Sequence, residues 1–110
     1  MNLQVVRQIL KGCADDTRLR IIHLLNNNEL TVKDICTSLQ LNQPTISKHL
    51  TRLRLLKLVI DKRKGNSVYY SLNRTPNSIQ NTVISFINTE FSHLERFKKD
   101  RKAINAHTKT

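Results

Sequence analysis

Six side chains that can hydrogen-bond a base edge or a phosphate fall in one short stretch, Gln43, Thr45, Ser47, Lys48, His49 and Arg52, and three cations follow in a run, Lys62, Arg63 and Lys64. Amides, hydroxyls and an imidazole can donate and accept, while the cations can neutralise a phosphate backbone, so the set suits recognition of a nucleic acid. An enzyme is not expected: the chain has no nucleophile elbow, no phosphate-cradling loop, only two glycines and no convergent acid/base set.

The elements that must carry these residues are legible around them. At about 100° per residue, Ile46, Leu50 and Leu53 fall on one side of a helix, and Thr45, Lys48, His49 and Arg52 share the other. Such a helix buries one face and offers donors on the opposite one. Asn42 or Gln43 can cap it, and Pro44 suits its first turn, where a missing N–H leaves no bond unmade. The polar side chains nearest that end are the ones a recognition helix carries into a major groove. Residues 58–72 then form two alternating runs, rich in β-branched and aromatic side chains, on either side of Lys64-Gly65-Asn66. Gly65 and Asn66 tolerate positive φ, which predicts a β-hairpin with Val68, Tyr70 and Leu72 facing inward and Lys62, Arg63 and Lys64 at its exposed tip.

Elsewhere the chain reads as support. Leu3, Val6, Leu10 and Cys13 recur at helical spacing and give a first helix with an apolar stripe. Asp15 can cap a second helix, apolar nearly all round over residues 18–25 and so central and buried, and Asn26-Asn27-Asn28 is a turn. Thr31 and Asp34 fit a capping box on a third helix whose inner face is Val32, Ile35, Cys36 and Leu39; Gln40-Leu41-Asn42 then turns into the recognition helix and completes a helix-turn-helix. Pro76 is expected at the first position of a last helix, with Ile79, Val83, Phe86, Ile87, Leu94 and Phe97 as a broad stripe. A compact core leaves the first and last stripes uncovered. The expectation is a two-fold homodimer through Leu3, Val6, Leu10, Ile79, Val83, Phe86, Ile87 and Leu94. Periodicity fades beyond Phe97, so residues 1–97 read as one DNA-binding and dimerisation domain and residues 98–110 as a basic, disordered tail.

Charge points the same way. The net charge is +11 over 110 residues, and residues 43–74 hold eight cations against Asp61 alone, a net +7. A basic patch confined to one unit argues for a polyanion, with nucleic acid ahead of membrane because no basic helix there carries aromatics on its apolar side. No 18-residue apolar run and no signal pattern occur, which predicts a cytoplasmic protein with its two cysteines reduced.

Four segments in order, Ala14-Asp-Asp-Thr-Arg-Leu-Arg-Ile-Ile22, Glu29-Leu-Thr-Val-Lys-Asp-Ile35, Gln43-Pro-Thr-Ile-Ser-Lys-His-Leu50 and Leu58-Val59 before the hairpin, resemble the ArsR/SmtB family of winged-helix repressors. The resemblance covers nearly the whole chain. It implies a mainly α fold with a small β-hairpin, a winged helix-turn-helix in the order α-α-α-α-β-β-α, paired through its first and last helices. It also implies a prokaryotic, nucleoid-associated regulator bound to a pseudo-palindromic operator in double-stranded DNA and released by an effector. Lys57 stands where the family commonly has glycine.

The family's sensing sites are sparse in this chain. Soft-metal sensors carry cysteines at positions matching Thr31, Lys33 and Cys36, and only Cys36 is present. One thiolate does not make such a site. Members that bind zinc between their last helices use an Asp-x-His and a His-x-x-Glu; this chain has Glu90-Phe-Ser-His93, the reverse. By helical angle Glu90 falls inside the apolar stripe with His93 at its edge, so two protomers could assemble a site, although a solvated Glu90 or one paired with Arg7 or Lys11 is the simpler reading. Thiol sensors use a cysteine on the second helix, where His23 stands, and another on the last, which has none. Cys13 and Cys36 remain as redox candidates, with packing as their default role. No cofactor is expected. The alternative function is a winged-helix DNA-binding or protein-interaction module that needs no effector.

Overall fold

A computed structural model describes residues 2–108. Four helices come first, α1 (Leu3–Cys13), α2 (Asp16–Leu24), α3 (Val32–Leu39) and α4 (Gln43–Leu55). The strands β1 (Val59–Lys64) and β2 (Ser67–Leu72) follow, then α5 (Ile79–Glu90) and α6 (Glu95–Thr108).

Caps set the helix starts. Asn2, Asp15, Asn42 and Ser78 each accept a backbone N–H three residues on, and Thr31 with Asp34 closes the expected capping box. Pro44 lies in the first turn of α4 as the sequence suggests. Pro76 does not open α5; it belongs to the preceding turn, and the capping hydroxyl of Ser78 starts the helix instead.

The core is built on α2, which packs against every other helix, with Ile21, Ile22, Leu24 and Leu25 sealed from solvent. Ile35 and Leu39 of α3 and Ile46, Leu50 and Leu53 of α4 close over it. The first helix divides its apolar residues between two directions: Ile9 and Cys13 enter the core, whereas Leu3 and Leu10 stay exposed. Gly12 permits that docking, because a Cβ there would lie 2.0 Å from the Leu56 side chain.

The recognition helix ends on Lys57 at φ +61°, with Lys57 N–H donating to the Arg54 carbonyl and Leu58 N–H to that of Leu53. This doubly bonded C-terminal stop favours glycine, so lysine costs up to about 1 kcal/mol here. The hairpin pairs antiparallel from Val59 opposite Leu72 to Lys64 opposite Ser67. Its loop is Gly65-Asn66, and only Gly65 takes positive φ, as in a type II′ turn. Leu30 adds a short bridge to the free side of β2 through two backbone bonds with Tyr70.

Beyond the hairpin the structure departs from the sequence reading twice. The expected single last helix is broken between Phe91 and Leu94, giving α5 and α6. The residues expected to form a disordered tail are helical through Thr108, while Lys109 and Thr110 lie outside the described residues. The reason is a stripe that hydrophobicity alone undercounts. Phe97, Asp100 and Ile104 share one face of α6 and are all buried, Asp100 because Arg20 of α2 neutralises it.

Candidate nucleic-acid interface and sensing residues

On α4 the division of faces is the expected one: Ile46, Leu50 and Leu53 are buried, Gln43, Lys48 and Arg52 exposed, and Thr45 and Ser47 half-buried. Lys48 and Arg52 have no ion-pair or hydrogen-bond partner among the described residues, so both are free to meet an anion.

His49 is placed differently from a freely presented base reader. Its side chain is 15 % exposed, and its Nδ1 lies 3.3 Å from Nη1 of Arg18 and 3.8 Å from the Asp15 carboxylate. An arginine N–H can only donate, so in this contact Nδ1 is the acceptor and Nε2 is left to donate. Arg18 is itself held by the Gly12 carbonyl at 2.5 Å. Sequence reasoning missed this brace, since Asp15 and Arg18 are far from His49 in the chain and no periodicity links them.

The hairpin's three cations are not equivalent. Lys64 is paired with Glu29 and lies 5.5 Å from the centre of the Tyr69 ring. It braces the wing against the loop before α3. Lys62 and Arg63 are exposed with no partner among the described residues. Alternation along β1 turns them to opposite faces, Arg63 to the face it shares with Val68. Val68 in turn lines an open groove with Asn42 and Gln43, so the wing and the start of the recognition helix border one surface. Arg54 is drawn 3.5 Å from Asp61.

The residues assigned to a dimer interface separate into two groups. Leu3, Leu10, Phe86 and Leu94 are exposed and Val6 is half-buried. Val83 and Ile87 instead sit in the chain's own core, with Ile79 packed partly against it, and Phe97 lies in the core as well. Packing of α5 against α2 covers the side of its stripe that holds Val83 and Ile87, and Phe97 belongs to a separate helix, α6, that packs on α2 and α3.

For the sensing candidates, Glu90 and His93 are both exposed, at the end of α5 and in the turn that follows, and Glu90 is not drawn into an apolar seam within the protomer. Among the described residues no three His, Cys, Asp or Glu side chains gather as a metal would need. Cys13 and Cys36 are free thiols, and burial pushes both above the ordinary thiol range, with Arg18 partly offsetting this at Cys13. A raised pKa leaves little thiolate at neutral pH, which suits packing.

His23 is the buried titratable group that matters. It stacks on Phe97 with ring centres 4.4 Å apart, its Nδ1 is 2.9 Å from Asn88 Oδ1, and its Nε2 is 2.7 Å from Nη1 of Arg101. Because Arg101 donates, the ring is neutral with its proton on Nδ1. Burial lowers its pKa; the Asn88 bond and the Asp100 charge oppose the shift and the Arg101 charge adds to it. A lowered folded pKa means the unfolded chain protonates first as pH falls. The stability His23 contributes is therefore complete above about pH 6.5 and is lost below it, by up to about 1.4 kcal/mol per pH unit until the folded pKa is reached. Urea unfolding between pH 7.5 and 5 should show this slope, and His23→Gln should flatten it.

His107, read as a tail residue, places its Nε2 2.8 Å from Oδ1 of Asp34, the carboxylate that closes the α3 capping box. That carboxyl is held below its usual range: burial would raise it, and hydrogen bonds from Thr31 and His107 outweigh the burial.

Among the described residues no helix is long and apolar enough to cross a membrane. Residues 15–61, from the α2 cap through the start of β1, match the family of bacterial regulatory proteins described as the arsR family. The chain is 38 % identical over 85 residues to the transcriptional repressor SdpR of Bacillus subtilis, covering 76 % of this chain and 93 % of that one. Its fold is similar to that of reduced HlyU from Vibrio cholerae, with a TM-score of 0.70 and 30 % identity over 80 % of this chain and 90 % of HlyU. It is similar too, at TM-score 0.69 and 28 % identity over 84 % of each chain, to the homodimeric winged helix-turn-helix DNA-binding domain Mb0332 of Mycobacterium bovis. The helix-turn-helix with its basic wing, the family match and the coverage of SdpR together make this chain a member of the arsR family of bacterial regulatory proteins, a DNA-binding transcriptional regulator.

Proposed function

We propose that the protein is a homodimeric repressor that occupies a pseudo-palindromic operator and leaves it when an effector binds. The observation that carries this reading is the surface formed by α4 and the hairpin, where Lys48, Arg52, Lys62 and Arg63 are exposed without partners among the described residues, beside Gln43 and Thr45. On two-fold-related protomers, recognition helices set about 34 Å apart would enter successive major grooves on one side of a duplex. A regulator working this way acts in the cytoplasm of a prokaryote.

The surface divides its work. Gln43, Thr45 and Ser47 lie toward base edges, Arg52 reaches a base edge and its flanking phosphate, His49 offers Nε2–H to a nearby acceptor, and Lys48, Lys62 and Arg63 take phosphates. Arg52→Ala should cost about 1–3 kcal/mol at particular base pairs, whereas Arg63→Ala should weaken all sequences about equally. Binding profiles measured across a library of operator variants check this; identical profiles for the two variants would refute the division.

The dimer rests on the exposed Leu3, Leu10, Phe86 and Leu94, with Phe91 set edge-on against Phe86 at 5.4 Å. Exposed apolar side chains on two helices of a small domain favour a partner surface. Phe86→Glu is expected to give monomers in sedimentation at micromolar concentration and at least a hundredfold loss of operator affinity, about 2.7 kcal/mol or more. An unchanged dimer would remove α5 from the interface. For the effector, the free thiols have raised pKa values and the Glu90 and His93 pair is exposed, which supports DNA binding without metal and a weak response to zinc, cadmium or arsenite.

A further inference from the structure

A cavity of about 240 Å³ opens where the end of α2, the turn that follows it and α6 meet, lined by His23, Asn26, Asn27, Asn28, Arg101 and Asn105 among others. Beside Leu24 and Ile104 its lining holds four side-chain amides, one guanidinium and one imidazole. Of the amides only Asn28 is committed, donating to the Leu24 carbonyl at 2.8 Å; those of Asn26, Asn27 and Asn105 have no side-chain hydrogen bond among the described residues.

Arg101 is already oriented. Its Nη1 donates to the Ser92 carbonyl at 2.8 Å and to His23 Nε2 at 2.7 Å, and His23 is in turn fixed by Asn88 and by stacking on Phe97. Among the described residues nothing bonds its Nε or Nη2. Those two nitrogens form the parallel donor pair that grips two oxygens of a carboxylate or phosphate. Holding a guanidinium by one nitrogen while its fork stays open removes much of the ordering cost of binding. No acidic side chain lines the cavity to compete for the cation.

We propose that this cavity binds a small oxyanion, a carboxylate or a phosphate group, held bidentately by Arg101 and hydrogen-bonded by the surrounding asparagine amides. Size limits the ligand to a few heavy atoms, since sites for drug-sized molecules run to roughly 300–1,000 Å³. The place is suited to control. Its walls belong to α2, the centre of the core, and to α6, which is tied to α2 through Arg20 and Asp100 and to the start of α3 through His107 and Asp34.

Calorimetry on the full chain at constant ionic strength, with inorganic phosphate in one arm and acetate and succinate in another, tests the proposal and separates the two chemistries. Saturable binding in at least one arm is expected, with the His23 ring resonances moving along the same isotherm. Arg101→Lys, which keeps the charge and loses the fork, should weaken it roughly tenfold or more. Asn105→Leu, at the exposed rim where folding is not at stake, should weaken it as well, while Lys98→Ala with Lys102→Ala on the outer face of α6 should leave it unchanged. No saturation with any of the three anions overturns the proposal, as does binding that survives Asn105→Leu and Arg101→Lys but is lost with the two lysines.

Discussion

Raising salt from 50 to 200 mM is expected to weaken operator binding by about 10⁴-fold. The figure follows from counting the cations of α4 and β1 that the structure leaves without partners. Lys48, Arg52, Lys62 and Arg63 are exposed and unpaired among the described residues, whereas Lys64 is held by Glu29 and Arg54 leans toward Asp61. Four per protomer become eight in a dimer, and each phosphate neutralised lowers the slope of log affinity against log salt by about 0.9, so the slope should be about −7. Had all of the basic residues in this region engaged phosphates, the slope would be far steeper. Arg63→Ala should bring it to about −5.5, one contact fewer on each protomer. Fluorescence anisotropy with a labelled operator over a salt series measures both. A slope shallower than about −3, or one that Arg63→Ala does not change, would show that the wing does not lie on the duplex.

The second large effect is one of stability. Asp100→Ala is expected to cost about 3–5 kcal/mol, because it strands the half-buried Arg20 guanidinium against α6 with no counter-charge. Asp100 is 1 % exposed and takes both donors of Arg20, Nε at 2.9 Å and Nη2 at 3.0 Å, with Arg96 at 3.4 Å from its other side. Arg96→Ala should cost under about 1 kcal/mol, since that side chain is 55 % exposed and its pairing is screened. Replacing Arg20 and Asp100 together with Met and Leu should recover most of the loss, because two well-packed apolar side chains can stand in for a buried ion pair. Urea unfolding followed by circular dichroism checks the series. If Asp100→Ala cost no more than Arg96→Ala, α6 would not be anchored through this pair. Loss of the anchor should also lower the helix content, since residues 95–108 have too few apolar side chains to hold a helix in water alone.

Chemistry local to the chain determined most of the DNA-facing half of the molecule. Caps at Asp15, Thr31 and Asn42, the apolar spacing of Ile46, Leu50 and Leu53 and the positive φ at Gly65 are each set by neighbours within a few residues, and each is read correctly from the sequence. The family resemblance adds the order of elements as far as the hairpin and the regulator function, which the family match and the relatives bear out.

What only the tertiary structure decided is where polar groups far apart in sequence meet. Asp100 counts against burial in any hydrophobicity pattern, yet with Arg20, 80 residues earlier, it becomes the centre of the face α6 buries, and a segment expected to be disordered folds. The same holds for His23 with Arg101, for His49 with Arg18, and for Lys64 with Glu29, which takes one of three adjacent cations away from DNA. Val83 and Ile87 were assigned to a dimer because a stripe on one long helix has a single direction; α5 instead packs against α2, so those side chains join the core, and a four-residue break turns α6 back onto α2 and α3. The physical reason is common to all of them. Hydrophobic period and capping are properties of a short window, whereas the cost of burying a charge depends on a partner that only the folded chain supplies.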